Sequence, residues 1–261
     1  MIRSLWTGTT GMHAQQLNID VIAHNLANVT TTGFKKSKAD FQDLLYQTMK
    51  VPGSQTSANT ESPTGIQVGL GVRPAAVTKI FTQGDLIQTE NELDVAIEGN
   101  GFLQVDLPNG NTAYTRAGAL KLDSNGRMTT SDGYPIIPGI TVPDGSSQIT
   151  ISKTGIVSAL IGDDTESTEL GTLQLATFTN NSGLLAMGQN LFESSSSSGS
   201  AQTGTPGDDG YGTLLQTYLE GSNVNIVEEL ASMITTQRAY EINSKTIQTS
   251  DEMMQTTNQL I

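Results

Sequence analysis

Both ends of this chain carry an apolar residue every seven positions, a spacing the middle lacks, and this limits the possible folds more than any other feature. Near the N-terminus Leu5, Met12, Ile19 and Leu26 keep the interval, with Ile22 and Val29 three positions after the last two. Near the C-terminus it runs through Ile226, Met233, Tyr240, Ile247, Met254 and Ile261, flanked by Val227, Leu230, Ile234, Met253 and Leu260. A residue repeated every seven returns to one narrow side of a helix. Each end therefore predicts a helix whose apolar face must lie against another helix, as in a coiled coil.

The helical period holds from about Ser4 to Val29, and Gly33 follows as a stop signal. Gly8 and Gly11 weaken that helix by ~1 kcal/mol each relative to alanine, so it is marginal alone. A second, shorter apolar set follows (Phe34, Phe41, Leu44, Leu45, Met49), and from Val51 to Thr64 the chain turns to Pro, Gly, Ser, Thr, Asn and Gln, the composition of an extended arm or loop. Alternation with a strand-like period of two returns at Ile66, Val68, Leu70 and Val72, interrupted by glycines.

From Leu93 to Glu193 the pattern is of many short strands, for example Gly101 to Val105 and Leu173 to Phe178. Between them Pro108-Asn109-Gly110, Ser124-Asn125-Gly126 and Ser131-Asp132-Gly133 are tight-turn signals. Ser194 to Ser198 is a serine run, and the residues up to Gly212 have the composition of a flexible linker. Asn223 is positioned to cap a helix running from Val224 to the last residue. The expected class is α+β. Residues 1–33 and 222–261 form a terminal coiled-coil domain, 34–92 and 194–221 an extended, β-rich connecting arm and linker, and 93–193 a central all-β domain.

Thirteen basic residues against 26 acidic give a net charge of -13. That charge opposes nucleic-acid binding through phosphate neutralisation and disfavours anionic membranes. The one basic concentration, Lys35, Lys36 and Lys38, reads as a solvated face. Cysteine is absent, which excludes disulfides, thiolate metal sites and thiol nucleophiles. The sequence shows no secretory signal peptide and no run approaching the ~20 apolar residues of a membrane span. The expectation is a soluble chain that, if exported, uses a route reading no cleaved signal.

A search for chemistry finds little. His13 and His24 lie eleven positions apart on the N-terminal helix, three turns along it and too far to share a metal. Asp94 with Glu98, or Asp163, Asp164 and Glu166, could be nominated as paired carboxylates for a carbohydrate-active β domain, but aromatic platforms are scarce. Asp123 to Gly126 resembles the start of a calcium loop without its later ligands, and Gly69-Leu70-Gly71 lacks the third glycine of a dinucleotide fingerprint. No catalytic residue, cofactor or metal is expected. The C-terminal segment, in contrast, is dominated by uncharged polar residues, including Thr235, Thr236, Gln237, Asn243, Ser244, Thr246 and Gln248. Such faces can be covered by neighbours without stranding ionic charge.

Two segments carry a family pattern. Asn25-Leu26-Ala27-Asn28-Val29-Thr30-Thr31-Thr32-Gly33-Phe34-Lys35 resembles the N-terminal signature of the bacterial flagellar rod and hook axial proteins. Gln237-Arg238-Ala239-Tyr240-Glu241-Ile242-Asn243-Ser244-Lys245, with Asp251 to Met254, resembles the matching C-terminal signature. Tyr114 to Gly118, Asp123 to Gly126 and Asp132 to Pro135 are similar as well, and Tyr46 to Arg73 resembles an insertion of distal-rod members that stiffens the tube. The resemblance covers nearly the whole chain. It implies a structural subunit of the basal-body rod, a self-assembling helical tube that transmits torque from motor to hook and encloses the export channel. A hook or proximal-rod component is the alternative.

The implied partners are other copies of the chain, proximal rod proteins, the hook and hook–rod junction, the P-ring and L-ring, the rod cap and the flagellar type III export apparatus. Leu5, Met12, Ile19, Ile22, Leu26, Val29, Ile226, Leu230, Met233, Tyr240, Ile247 and Met254 are the expected assembly residues.

Overall fold

The computed structural model describes residues 2–259 except 54, 58, 59, 62 and 163–166. Leu260 and Ile261 of the C-terminal stripe, the nominated carboxylates Asp163, Asp164 and Glu166, and part of the 51–64 stretch lie outside the described residues. The chain divides into two compact units. A helical unit comprises Met1–Leu26, Ser37–Thr78 and Asn225–Ile261, and a β unit comprises Ala27–Lys36 and Lys79–Val224.

In the helical unit, α1 spans Ile2–Ala27 and α2 spans Ile226–Gln259. α1 ends just before Val29-Thr30-Thr31-Thr32, four β-branched residues that crowd the preceding helical turn. There the Thr31 amide and hydroxyl both turn back on Asn28, at 3.2 Å each. Asn225, and not Asn223, caps α2. Its Oδ1 accepts from the Val227 N–H at 3.0 Å, and its carbonyl accepts from the Glu229 N–H at 3.0 Å. Glu228 and Glu229 then place negative charge in the first turn, where the helix dipole favours it.

Residues Tyr46–Lys50 pair antiparallel with Ile66–Gly69, and Gln55–Ser57 pair with Thr60–Glu61. Ser37–Asp43 pairs with Val72–Lys79. Among the described residues the polar stretch thus takes part in a two-stranded ribbon, with a break at Gly71, where φ is +120°. Leu45, Tyr46, Met49, Val51 and Ile66 are all exposed on it. A two-stranded ribbon is at best marginal by itself, and this one buries little of its apolar surface.

The β unit is built on a sheet whose strands run in the order Leu185–Gly188, Leu191–Glu193, Thr112–Thr115, Phe102–Asp106, Leu175–Thr177 and Gln202–Gly204, with Ile136–Ile137 also against Phe102–Asp106. A three-stranded sheet of Ser146–Ile151, Ile156–Ile161 and Thr168–Thr172 packs its apolar side into the same core. The three tight-turn signals each form turns, with Gly110, Gly126 and Gly133 at φ of +81°, +73° and +87°. Val95, Ile97, Leu103, Leu120, Ile136, Val157, Leu173, Leu175 and Leu214 are fully buried together. Phe81, Phe102, Phe178, Phe192 and Tyr114 form a second cluster with edge-to-face rings.

The serine run departs from its compositional reading as a flexible linker. The Ser195 hydroxyl donates to the Gly183 carbonyl at 2.6 Å, the Ser198 hydroxyl accepts from the Ser195 N–H at 2.9 Å, and Ser198 is buried. Gln202–Gly204 then joins the large sheet beside Leu175–Thr177. Serine hydroxyls that satisfy local backbone groups hold a turn as firmly as they dissolve a linker, and composition does not distinguish the two.

Candidate assembly interface

Side chains of α1 and α2 meet at regular intervals. Ser4 and Ser250 hydroxyls are 3.2 Å apart, Asn18 donates to the Thr236 hydroxyl at 3.0 Å, and Asn25 donates to Glu229 at 3.3 Å. Between the first two of these contacts, Gly8 and Gly11 lie under Ile247 and Asn243, so close that a Cβ would stand 2.9 Å from each side chain. One helix is climbed as the other is descended, in steps of three, four and seven residues, so the two helices run antiparallel.

On α1 this contact line runs beside the apolar stripe, whereas on α2 it takes in the stripe residue Ile247. On α1 it runs through Ser4, Gly8, Gly11, Asn18 and Asn25, of which Gly8 and Asn25 are buried, and Ile22 is buried as well. Leu5, Met12, Ile19 and Leu26 sit one position further round and remain half-buried. On α2, Met233 and Ile247 are half-buried while the polar Thr236 and Ser250 are its two buried residues. Met254 is half-buried, and Ile226, Leu230 and Tyr240 are exposed, with Val227, Ile234, Ile242 and Met253. Val29 is half-buried in the β unit. Glycine and serine carry no hydropathy signal, so the seam was hidden beside the stripe. A stripe one position off, over glycines at heptad spacing, is the sign that could have revealed it.

The signature residues divide between the units. Asn25 exchanges two bonds with the Ser37 backbone, donating to its carbonyl at 2.8 Å and accepting from its N–H at 2.9 Å. Leu26 and Asn28 are half-buried, Ala27 is exposed, and Gly33 and Phe34 are buried in the β unit. Gly33 has φ of +69°, and a Cβ there would stand 2.6 Å from the Ala117 nitrogen, so only glycine fits. In the C-terminal signature Gln237, Arg238 and Tyr240 are exposed, with Ala239 half-buried.

Lys35 corrects the expected solvated lysine face. It is 1% exposed, with its ammonium 2.6 Å from Glu220 Oε1 and 2.7 Å from the Thr82 carbonyl. Lys36 is half-buried and Lys38 is exposed beside Asp40. Burial pushes the Lys35 ammonium below its usual pKa, against the opposing pull of Glu220. Arg116, also buried, reaches Glu220 Oε2 at 3.2 Å and the Gly99 carbonyl at 2.7 Å. Glu220 did not stand out in the sequence, and Arg116 only as part of the Tyr114 to Gly118 segment, because nothing local marks a charge whose partner is distant along the chain.

Asn223 fastens three segments of the β unit. Its Oδ1 accepts from the Lys36 N–H at 2.7 Å, and its amide donates to the Ile80 carbonyl at 2.8 Å and the Thr82 hydroxyl at 3.0 Å. These bonds occupy the side chain that the sequence had offered as a helix cap.

The nominated catalytic groups are dispersed or engaged. His13 and His24 are exposed on α1, the buried Asp94 accepts from the Asn91 amide at 2.9 Å, and Glu98 is exposed. Among the described residues there is no cluster of three metal-ligating side chains, and no helix is long and apolar enough to cross a membrane.

Comparison with known proteins matches both terminal signatures and part of the β unit. Residues 5–35 match the family described as flagella basal body rod protein, 96–159 the flagellar hook protein FlgE/F/G D1 domain, and 215–260 the flagellar basal body rod FlgEFG protein C-terminal region. The flagellar basal-body rod protein FlgG of Buchnera aphidicola subsp. Acyrthosiphon pisum is 52% identical over 260 residues, covering 100% of both chains. The chain belongs to the flagellar basal-body rod protein family. The FlgG proteins of Borreliella burgdorferi, 51% identical over 100% of this chain and 99% of that protein, and of Bacillus subtilis, 38% identical over 98% and 97%, agree. As a rod-family member it is a structural subunit of the flagellar basal body.

Proposed function

We propose that this rod subunit polymerises with itself into a rigid helical tube, the drive shaft that carries torque from motor to hook around the export channel. One observation carries the reading. α1 and α2 meet through a seam of mostly small and polar side chains, with Ile247 over Gly8, while Ile226, Val227, Leu230, Ile234, Ile242 and Met253 stay exposed along α2. Polar residues at seam positions specify register but lower the stability of the pair. Each exposed aliphatic residue that a neighbour covers fully would contribute roughly 1.5–3 kcal/mol. The pair is thus weak alone and cohesive in company.

In this reading α1 and α2 form an antiparallel coiled coil. Residues 1–33 and 222–261 make the inner layer, 34–92 and 194–221 the connecting arm and linker, and 93–193 the outer β domain. The apolar stripe, with Leu5, Met12, Ile19, Leu26, Ile226, Leu230, Met233, Tyr240 and Met254, faces neighbouring copies beside the seam. The exposed ribbon residues Tyr46, Met49 and Ile66 brace adjacent subunits. Further partners are the proximal rod, the hook and its junction, the P-ring and L-ring, the rod cap and the type III export apparatus. The chain travels unfolded through that apparatus and does no catalysis.

Electron microscopy of the purified chain is the test. Straight tubes are expected from the full chain and none after deletion of 222–261. A truncated chain that still built tubes would refute the terminal-helix mechanism, and a curved polymer would favour a hook-like component. Helicity measured by circular dichroism should rise on assembly.

A further inference from the structure

We propose that Glu220 is the latch of the β unit: its carboxylate seats the N-terminal signature segment and bridges Lys35 and Arg116, two cations that would otherwise repel each other, so the segment locks only when the chain is present through residue 220. Lys35 and Glu220 lie 185 positions apart, and both side chains are sealed from solvent. Every polar atom of the Glu220 side chain is engaged with a different segment. Oε1 accepts from Lys35 Nζ at 2.6 Å and from the Gly84 N–H at 2.9 Å, and Oε2 accepts from Arg116 at 3.2 Å. Its backbone carbonyl accepts from the Gly33 N–H at 2.8 Å. One residue therefore ties down 33–35, 84 and 116 together, and the strand Tyr218–Glu220 that carries it pairs with Leu86–Gln88.

The charges make this an all-or-none closure. With Glu220 present the cluster holds two cations and one anion. Before residue 220 arrives, two like charges face a site with no anion, and burying them there is strongly unfavourable. The segment around Gly33 and Lys35 then has every reason to stay in water. A chain that is interrupted, or still emerging, before Glu220 keeps its signature segment unseated. The β unit so distinguishes a chain present through residue 220 from one that stops short of it, without any external factor.

Hydrogen exchange on the full-length chain tests the latch through three variants. Glu220→Gln keeps the shape and an acceptor but leaves two unopposed cations. Exchange at the Gly33, Gly84 and Gly221 amides should speed up together, by about a hundredfold or more. Lys35→Met alone should change exchange at Gly221 little, since Arg116 still balances Glu220. Lys35→Met combined with Glu220→Gln returns the cluster to its native charge of one positive, and protection should recover to within about tenfold of the parent chain. Unchanged protection in Glu220→Gln, or no recovery in the double variant, would overturn the proposal. If Glu220→Gln fails to fold at all, the double variant decides: recovered β signal by circular dichroism supports the latch, and an unfolded double variant refutes it.

Discussion

Asn25 treats the backbone of Ser37 as a strand neighbour would, donating to its carbonyl at 2.8 Å and accepting from its N–H at 2.9 Å. The same amide nitrogen lies 3.3 Å from a Glu229 carboxylate oxygen. A side chain with one acceptor and two donors on a single planar group is the only kind that can close this arrangement, which gives an invariantly shaped role to one signature residue.

Asn25→Asp keeps the size and removes the donor. The Ser37 carbonyl loses its partner and a second carboxylate is brought up to Glu229, so the helical unit should lose about 2–3 kcal/mol of stability. Urea unfolding followed by far-ultraviolet circular dichroism measures it, and a loss under ~0.5 kcal/mol would show the bonds to be dispensable.

Two asparagines only two positions apart should behave differently. Asn225→Ala removes the cap of α2 and is expected to cost about 1 kcal/mol, confined to the helical unit. Asn223→Ala strips partners from the Lys36 N–H and the Ile80 carbonyl inside the β unit, and about 2–3 kcal/mol is expected there. Residue-resolved hydrogen exchange separates the two losses, and exchanged locations would contradict the capping assignment.

Lys35 gives the β unit a pH dependence of predictable sign. Its folded pKa lies below the usual lysine value of 10.5, so just below that value the unfolded chain binds more protons than the folded one. Stability from this group therefore rises as pH climbs from neutrality toward 10.5. The stability difference between the parent chain and Lys35→Met should grow over that window in denaturant titrations. A difference that shrinks would mean that the Glu220 attraction outweighs burial.

At the seam, Gly8→Leu places a side chain where Ile247 already sits, and Ile247→Asp puts a charge there. Both should suppress polymer formation in sedimentation assays while leaving the near-ultraviolet signal of the β unit intact. Ile247→Asp is expected to cost several kcal/mol, on the order of 2–4, wherever assembly covers the site. Normal tubes from Gly8→Leu would place the helix contact elsewhere.

What the sequence disclosed follows from the range of each signal. Both terminal helices were legible because periodicity is local and repeated, and the Asn-Gly and Asp-Gly turns because a left-handed backbone is a property of single residues. The seam was not, since Ser4, Gly8 and Gly11 are chosen for size, and size has no hydropathic period. Lys35 was misjudged for a different reason: neighbouring lysines predict solvent, while its true environment is set by Glu220 and Arg116. Asn223 and Asn225 are equally good caps on paper. Competition from Lys36, Ile80 and Thr82 decides between them, and that is visible only in three dimensions.

The seam imposes a rule on how such chains can change length. Ser4, Gly11, Asn18 and Asn25 meet Ser250, Asn243, Thr236 and Glu229, each partner seven residues earlier than the last. Adding or removing a single residue within either helix would mismatch every later pair at once, whereas a whole heptad inserted opposite another would restore the match. Related chains that differ in length should therefore vary in the ribbon and in the loops between strands, with their helices changing only by sevens and in concert.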